Sequence, residues 1–336
     1  MTSRSLLHPA ESFVLRITAA TAAVDTVMIL FRGSTVDFPA YGSIAIVAGL
    51  MMGVGILYRR SGRSDRIGTT LICAGLFIVF TAALSLFNYC LLPNANPTID
   101  PLLLDLDAAL GYSWPDAVTW ASNHLAASGF MKLAYVMTLP QIVILMIVLG
   151  FTRRFNDLYG LMIAITIAGT FTILFWGLFP TTGPSAYFDL PQNVVALVGP
   201  ILGPEYGATV TELIRTGTPY LSPDDFRGLV SFPSFHTVLA LAITVYVRHV
   251  KYLRIVLLPL NLAVIPATLV HGAHHIVDIP GGIVVFLFSA YCAHRMLEGQ
   301  AASLPVETNA AGIGANRQES RAANKTSVFI GSLLSK

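Results

Sequence analysis

Two short stretches hold most of the side chains in this chain that could do chemistry. The first is Gly228-Leu-Val-Ser231-Phe-Pro233-Ser234-Phe-His236, and the second is His271-Gly-Ala-His274-His275-Ile-Val-Asp278. Metal-free cleavage of a phosphoric ester needs a nucleophile, a group to orient it, an acid for the leaving oxygen and donors around the phosphoryl oxygens. His274 and Asp278 are four positions apart, a spacing that puts both side chains on one face of a helical turn. Asp278 would then accept a proton from one ring nitrogen and leave the other free to attack phosphorus, as in a catalytic triad. His236, protonated, would serve the leaving oxygen. The two histidines need opposite protonation states, and a carboxylate beside only one of them arranges this. Pro280 limits the helical reading, because it removes a hydrogen bond to the carbonyl of Ile276.

Donors for a phosphate are present in hydroxyls and amides. Ser231 and Ser234 supply hydroxyls, and a helix starting near Pro233 would offer unpaired N–H groups to an anion. Pro180-Thr-Thr-Gly-Pro184 adds Thr181, Thr182 and the backbone at Gly183 as a second wall. Arg227 is the first-choice cation, with Arg215 and Lys132 behind it. A metal is the competing use of these residues: His271-Gly-Ala-His274-His275 reads as an H-x-x-H-H box, and zinc needs only three or four ligands. His271, His274, Asp278 and His236 would be that set. The box resembles those of di-iron membrane desaturases and hydroxylases, which carry several, whereas the remaining histidines here are scattered singly; the expectation is of neither metal nor cofactor. Of these, His294 reads as a helix-to-helix hydrogen bond, His124 as interfacial, and His8 and His249 as solvent-facing.

The elements that must position these groups are apolar. The 336 residues are 54% hydrophobic and only 11% charged, far below the roughly 25% charged typical of soluble chains. A formal charge of +2 spread through short loops gives no nucleic-acid signature. Cys73, Cys90 and Cys292 lie in apolar runs without metal or redox spacing. A bilayer-spanning helix needs about 20 apolar residues. Eight segments approach that length: 13–31, 41–58, 67–92, 134–151, 158–179, 235–250, 254–272 and 277–296. The first is the weakest, since Arg16 and Asp25 interrupt it, and whether it crosses or lies in the interface stays open. The expected fold is thus an all-α integral membrane protein.

Loop charge orients the spans. Arg59, Arg60, Arg63 and Arg66 follow the second span, Arg153 and Arg154 the fourth, Arg248, Lys251 and Arg254 the sixth, and Arg295, Arg317, Arg321 and Lys325 the last. All fall on one side, so both termini are expected in the cytoplasm and both histidine stretches on the outer face of a bacterial-type inner membrane. The outer segments 93–133 and 180–233 contain a helix start at Ser113-Trp-Pro-Asp116 and a short helix near 206–217. The second segment is either a lid or an inert cap. The expected divisions are 1–66, two helices with a basic loop; 67–298, a six-helix core; and 299–336, a disordered tail. Nothing in the sequence speaks to oligomeric state.

Pro233-Ser-Phe-His236 and His274-x-x-x-Asp278 followed by Gly281-Gly282 resemble the second and third signatures of the type-2 phosphatidic acid phosphatase superfamily. Ser231 to His236, Gly272 to Asp278, Asp107-x-x-Leu-Gly111-x-x-Trp114 and Phe179 to Pro184 are similar to the inositol-phosphorylceramide-synthase-like branch. The likeness spans roughly 95–285. It implies a phosphohistidine at His274, Asp278 orienting it and His236 as general acid. A phosphorylated lipid in the bilayer is the implied substrate, and the implied activity a lipid phosphatase or a phosphotransferase moving a head group between lipids. The superfamily's Lys and Arg-Pro signature is absent, and Ala267-Thr268 stands where Ser-Arg usually opens the third signature. A lipid-binding protein that kept the fold and lost catalysis is the non-enzymatic alternative.

Overall fold

The computed structural model describes residues 6–302, with side chains through Gly299. Its helices in chain order are α1 (Pro9–Arg32), α2 (Phe38–Arg60), α3 (Asp65–Cys90), α4 (Asp100–Ala109), α5 (Trp114–Ser122), α6 (Leu125–Val136) and α7 (Thr138–Phe151). There follow α8 (Phe155–Leu178), α9 (Gln192–Val198), α10 (Pro204–Thr216), α11 (Phe235–Tyr246), α12 (Lys251–His271) and α13 (Asp278–Ala302). The chain is an all-α integral membrane protein: α1, α2, α3, α8, α12 and α13 are each long and apolar enough to span a bilayer. α6 and α7 are a pair of apolar helices bent by 53°, long enough together for a broken span or a re-entrant loop, and α11 is a shorter apolar helix. The tail expected over 299–336 lies outside the described residues beyond Ala302, and α13 runs through its first four positions.

Two apolar segments differ from expectation for identifiable reasons. The 134–151 segment belongs to two helices, not one. Pro140 has no N–H for the carbonyl of Val136, and its ring crowds that carbonyl, so the chain breaks at Met137 and restarts. α1, by contrast, is continuous through both of its charges. Arg16 points outward, while Asp25 is turned into the bundle and only 2% exposed.

The loops sort into two faces. On one, Arg59 at the end of α2 pairs with buried Glu11 at 2.6 Å, and the Tyr159 hydroxyl donates to the same carboxylate at 3.3 Å. His8 stacks on Tyr159 with ring centroids 4.1 Å apart, which corrects its expected solvent-facing position. On the other face, Thr35–Val36 pairs in parallel with Tyr220–Leu221, and the Arg32 guanidinium donates to the Leu92 carbonyl. This second face gathers segments 93–133 and 180–233 and both histidine stretches.

Lipid is as apolar as a leucine side chain, so membrane helices associate through close packing of small residues rather than through burial from water. α2 lies on α3 in this way: a Cβ on Gly55 would sit 2.8 Å from the Gly68 carbonyl. α1 also packs on α3, and on α8 beside it. The central cluster joins α3, α7, α8 and α11 through residues such as Leu76, Leu149, Leu161 and Ile243. This packing fixes the ends of α8, α11, α12 and α13, where the chemistry lies.

Candidate active site

The α12–α13 connection carries the second histidine stretch as a tight loop. The four-residue spacing of His274 and Asp278 works here without a helix. α13 begins at Asp278 itself, so Pro280 falls in its first turn, where a missing N–H costs nothing. Ala273 adopts φ 46°, and that left-handed turn folds His274 back over the helix start. The His274 Nδ1 nitrogen meets Asp278 Oδ2 at 2.8 Å, leaving Nε2 as the free ring nitrogen.

Asp278 is held from three further directions. Its Oδ2 accepts from Ser231 Oγ at 2.6 Å and from the His275 N–H at 3.0 Å, and its carbonyl accepts from the Ser234 N–H at 3.0 Å. The two stretches are thus stitched together through one buried residue. α11 starts at Phe235, and Ser234 caps it by accepting from the Thr237 N–H. His236, the second residue of α11, stacks on Tyr135 of α6 at 4.0 Å. Its ring stands edge-on to His274 with centroids 6.4 Å apart. No carboxylate touches it among the described residues, whereas Asp278 touches His274, so the carboxylate favours charge on His274 rather than on His236.

The expected phosphate donors divide into those already occupied and those still free. The N–H groups of Thr182 and Gly183 donate to the Asp100 carboxylate at 2.9–3.0 Å. Thr181 Oγ1 accepts from the Ser231 and Phe232 N–H groups at 3.3 and 3.1 Å, while Trp176 Nε1 holds the Thr181 carbonyl. Ser231 donates to Asp278, and Ser234 serves its own cap. The hydroxyls of Thr182 and Ser185 are buried and have no protein partner among the described residues. They line a narrow cleft together with Ser231, Tyr206, Gly272 and Ala273. Ser185 was not singled out in the sequence; its place one residue past the Pro180–Pro184 motif was the available signal.

Of the three expected cations, Arg215 is exposed and paired with Glu212 at 2.7 Å, and Lys132 donates to the Gly199 carbonyl at 2.7 Å. Arg227 is exposed, with its N–H bonded to the Tyr89 hydroxyl at 2.7 Å, and it lines a separate depression beyond Tyr206.

His271 and His275, unassigned from sequence, hold the loop in place. His271 Nε2 reaches the Ser128 carbonyl at 3.0 Å, pinning the end of α12 to α6. His275 is fully buried between two carboxylates of α4. Its Nδ1 lies 2.7 Å from Asp107 Oδ2 and its Nε2 3.4 Å from Asp100 Oδ1, while Asp107 Oδ1 accepts the Ile276 N–H at 2.9 Å. Burial opposes its charge, but bonds to Asp100 and Asp107 and the nearby Asp278 carboxylate raise its pKa above the ordinary 6.5. Among the described residues no three His, Cys, Asp or Glu side chains converge as a metal site.

Gly183 locks the Pro180–Pro184 wall to this loop. It sits at φ 81°, and a Cβ there would lie 2.5 Å from the Ala273 carbonyl. Gly183→Ala is therefore expected to cost about 1–3 kcal/mol through backbone strain and to displace His274. Thermal unfolding and turnover in detergent, measured together, should both fall.

A buried histidine–carboxylate pair thus faces a second histidine at the ends of a membrane helix bundle. The family model of the PAP2 superfamily matches residues 101–292, more than half of the chain, and the chain belongs to that superfamily. Membership supports a phosphatase-type activity, with a phosphoric ester as the bond acted on, at the level of the whole superfamily. Neither the curated proteins nor the solved structures compared with the chain gave a match.

Proposed function

We propose that this protein is a membrane lipid phosphatase or phosphotransferase that works through a phosphohistidine on His274. The observation that carries the reading is the 2.8 Å contact from Asp278 to His274 Nδ1, with the His236 ring edge-on at 6.4 Å. Nε2 of His274 attacks phosphorus, an N–P bond forms and the P–O ester bond breaks. The leaving oxygen takes the bonding electron pair and a proton from His236. An acceptor hydroxyl then attacks the phosphohistidine, gives its proton to His236, and returns His274 to the neutral form. Asp278 stabilises the positive charge that develops on His274 and fixes the reactive tautomer. The site operates on the outer face with both termini cytoplasmic, a reading supported by the cations at the ends of α2, α7 and α11.

The acid role of His236 has a specific test. Replacing it with glutamine should slow hydrolysis of phosphatidate by roughly 10²–10⁴-fold, the usual worth of general acid catalysis. An ester with an activated leaving group, such as p-nitrophenyl phosphate, needs no proton and should lose far less. Equal losses on both substrates would remove His236 from the acid role.

A second reading is a head-group phosphotransferase, of the kind found in the inositolphosphotransferase branch. It is favoured by the shielding of the nucleophile: the His274 side chain is only 3% exposed and Asp278 is fully buried. A phosphohistidine so shielded meets bulk water slowly, and a lipid hydroxyl entering with the substrate competes well. Product analysis with and without acceptor lipids distinguishes the two, since a transferase makes a new phospholipid and a phosphatase releases only phosphate.

A further inference from the structure

Beyond Tyr206 lies a depression of about 650 Å³, whose polar lining is Asp189, Gln192, Glu205, Tyr206, Thr209 and Arg227 and whose remaining wall is apolar, with Leu190 and Ile201 among it. We infer that it is a subsite for a hydroxyl-rich head group, carried either by the lipid that is cleaved or by the lipid that accepts the phosphoryl group. The inference rests on the proposed phosphohistidine chemistry and names the substrate class for it. The volume falls within the roughly 300–1,000 Å³ of small-molecule sites and is far more than one phosphate needs.

The depression is built onto the catalytic loop. The Leu202 N–H donates to the His271 carbonyl at 2.9 Å, and the Tyr206 hydroxyl donates to the Gly228 carbonyl at the start of the first stretch. Tyr206 also lines the narrow cleft that holds the free Thr182 and Ser185 hydroxyls and Ser231, which bonds to Asp278. Tyr206 thus stands between the depression and the cleft whose Ser231 bonds the residue that orients the nucleophile.

The chemistry of the lining selects the ligand. Asp189 and Glu205 only accept hydrogen bonds, Arg227 only donates, and Gln192 does both. The side chains of Asp189, Gln192 and Glu205 hydrogen-bond to no protein group among the described residues. Hydroxyls, each a donor and an acceptor, match such alternating partners. A quaternary ammonium group would ask for an aromatic cage, and Tyr206 is the single ring in the lining.

The test uses the full chain in mixed micelles and the double variant Asp189→Asn with Glu205→Gln. Binding of soluble glycerophosphoglycerol, followed by ligand-observed NMR, should weaken at least tenfold in the variant. Unchanged binding, or tighter binding of glycerophosphocholine by the wild type, would overturn the subsite. Kinetics then distinguish the sources. A donor site raises KM for phosphatidylglycerol at least tenfold and leaves phosphatidate within twofold. An acceptor site leaves both hydrolyses alone and raises the half-saturating concentration of a glycosylated acceptor lipid. If the wild type turned over no lipid phosphate at all, the phosphohistidine reading would fail, and the NMR result would still decide the subsite.

Discussion

His274→Asn should abolish lipid turnover, by roughly 10⁴-fold or more, while the protein remains folded in detergent. Asparagine is chosen because its amide can still donate to Asp278 Oδ2, the bond His274 now makes at 2.8 Å. The contacts of Asp278 with Ser231 and the His275 N–H are then retained, so the loop has its other anchors. What is lost is the free ring nitrogen that forms the N–P bond. Thermal unfolding within a few degrees of wild type, together with background turnover, is the expected pair of results. Retained turnover would remove His274 as the nucleophile.

The second large effect falls on a residue outside the reaction. His275→Asn should destabilise the protein by about 3–5 kcal/mol, because it leaves Asp100 and Asp107 buried without the ring that bridges them. The His275 ring joins α4 to the loop whose backbone N–H at the same residue reaches Asp278, so activity should fall along with stability. The pH dependence follows from the sign of the shift. Folding raises the pKa of His275 above the ordinary 6.5, so its contribution is complete below that pH and is lost as pH rises through the folded value. The wild-type unfolding midpoint should therefore show a downward step above pH 6.5 that the His275→Asn protein lacks. A variant with the same stability and the same pH profile as wild type would contradict the keystone role.

The apolar spans and the pairing of His274 with Asp278 are legible in the sequence, because both are local patterns. Apolar length located α2, α3, α8, α12 and α13 within a few residues, and the Ser113 start of α5 was visible in its capping pattern. The bend at Met137 was not anticipated, since an apolar count does not register what Pro140 does to the carbonyl of Val136. The site was half legible. His274 and Asp278 were found by spacing, although a left-handed turn at Ala273 joins them rather than a helix. The cluster of His275 with Asp100 and Asp107 joins positions 175 and 168 residues apart, and no local spacing encodes such a contact. The amides of Thr182 and Gly183 looked available for phosphate for the same reason: the carboxylate they serve, Asp100, is more than 80 residues away.

The most direct test of the account is to trap the covalent intermediate. Purified protein is mixed with lipid carrying radiolabelled phosphorus, quenched within the first turnover, and digested for mass spectrometry. The account predicts an acid-labile, alkali-stable phosphoryl group on the peptide containing His274, absent from His274→Asn. A label on another residue, or full turnover with no label on the protein, would contradict it.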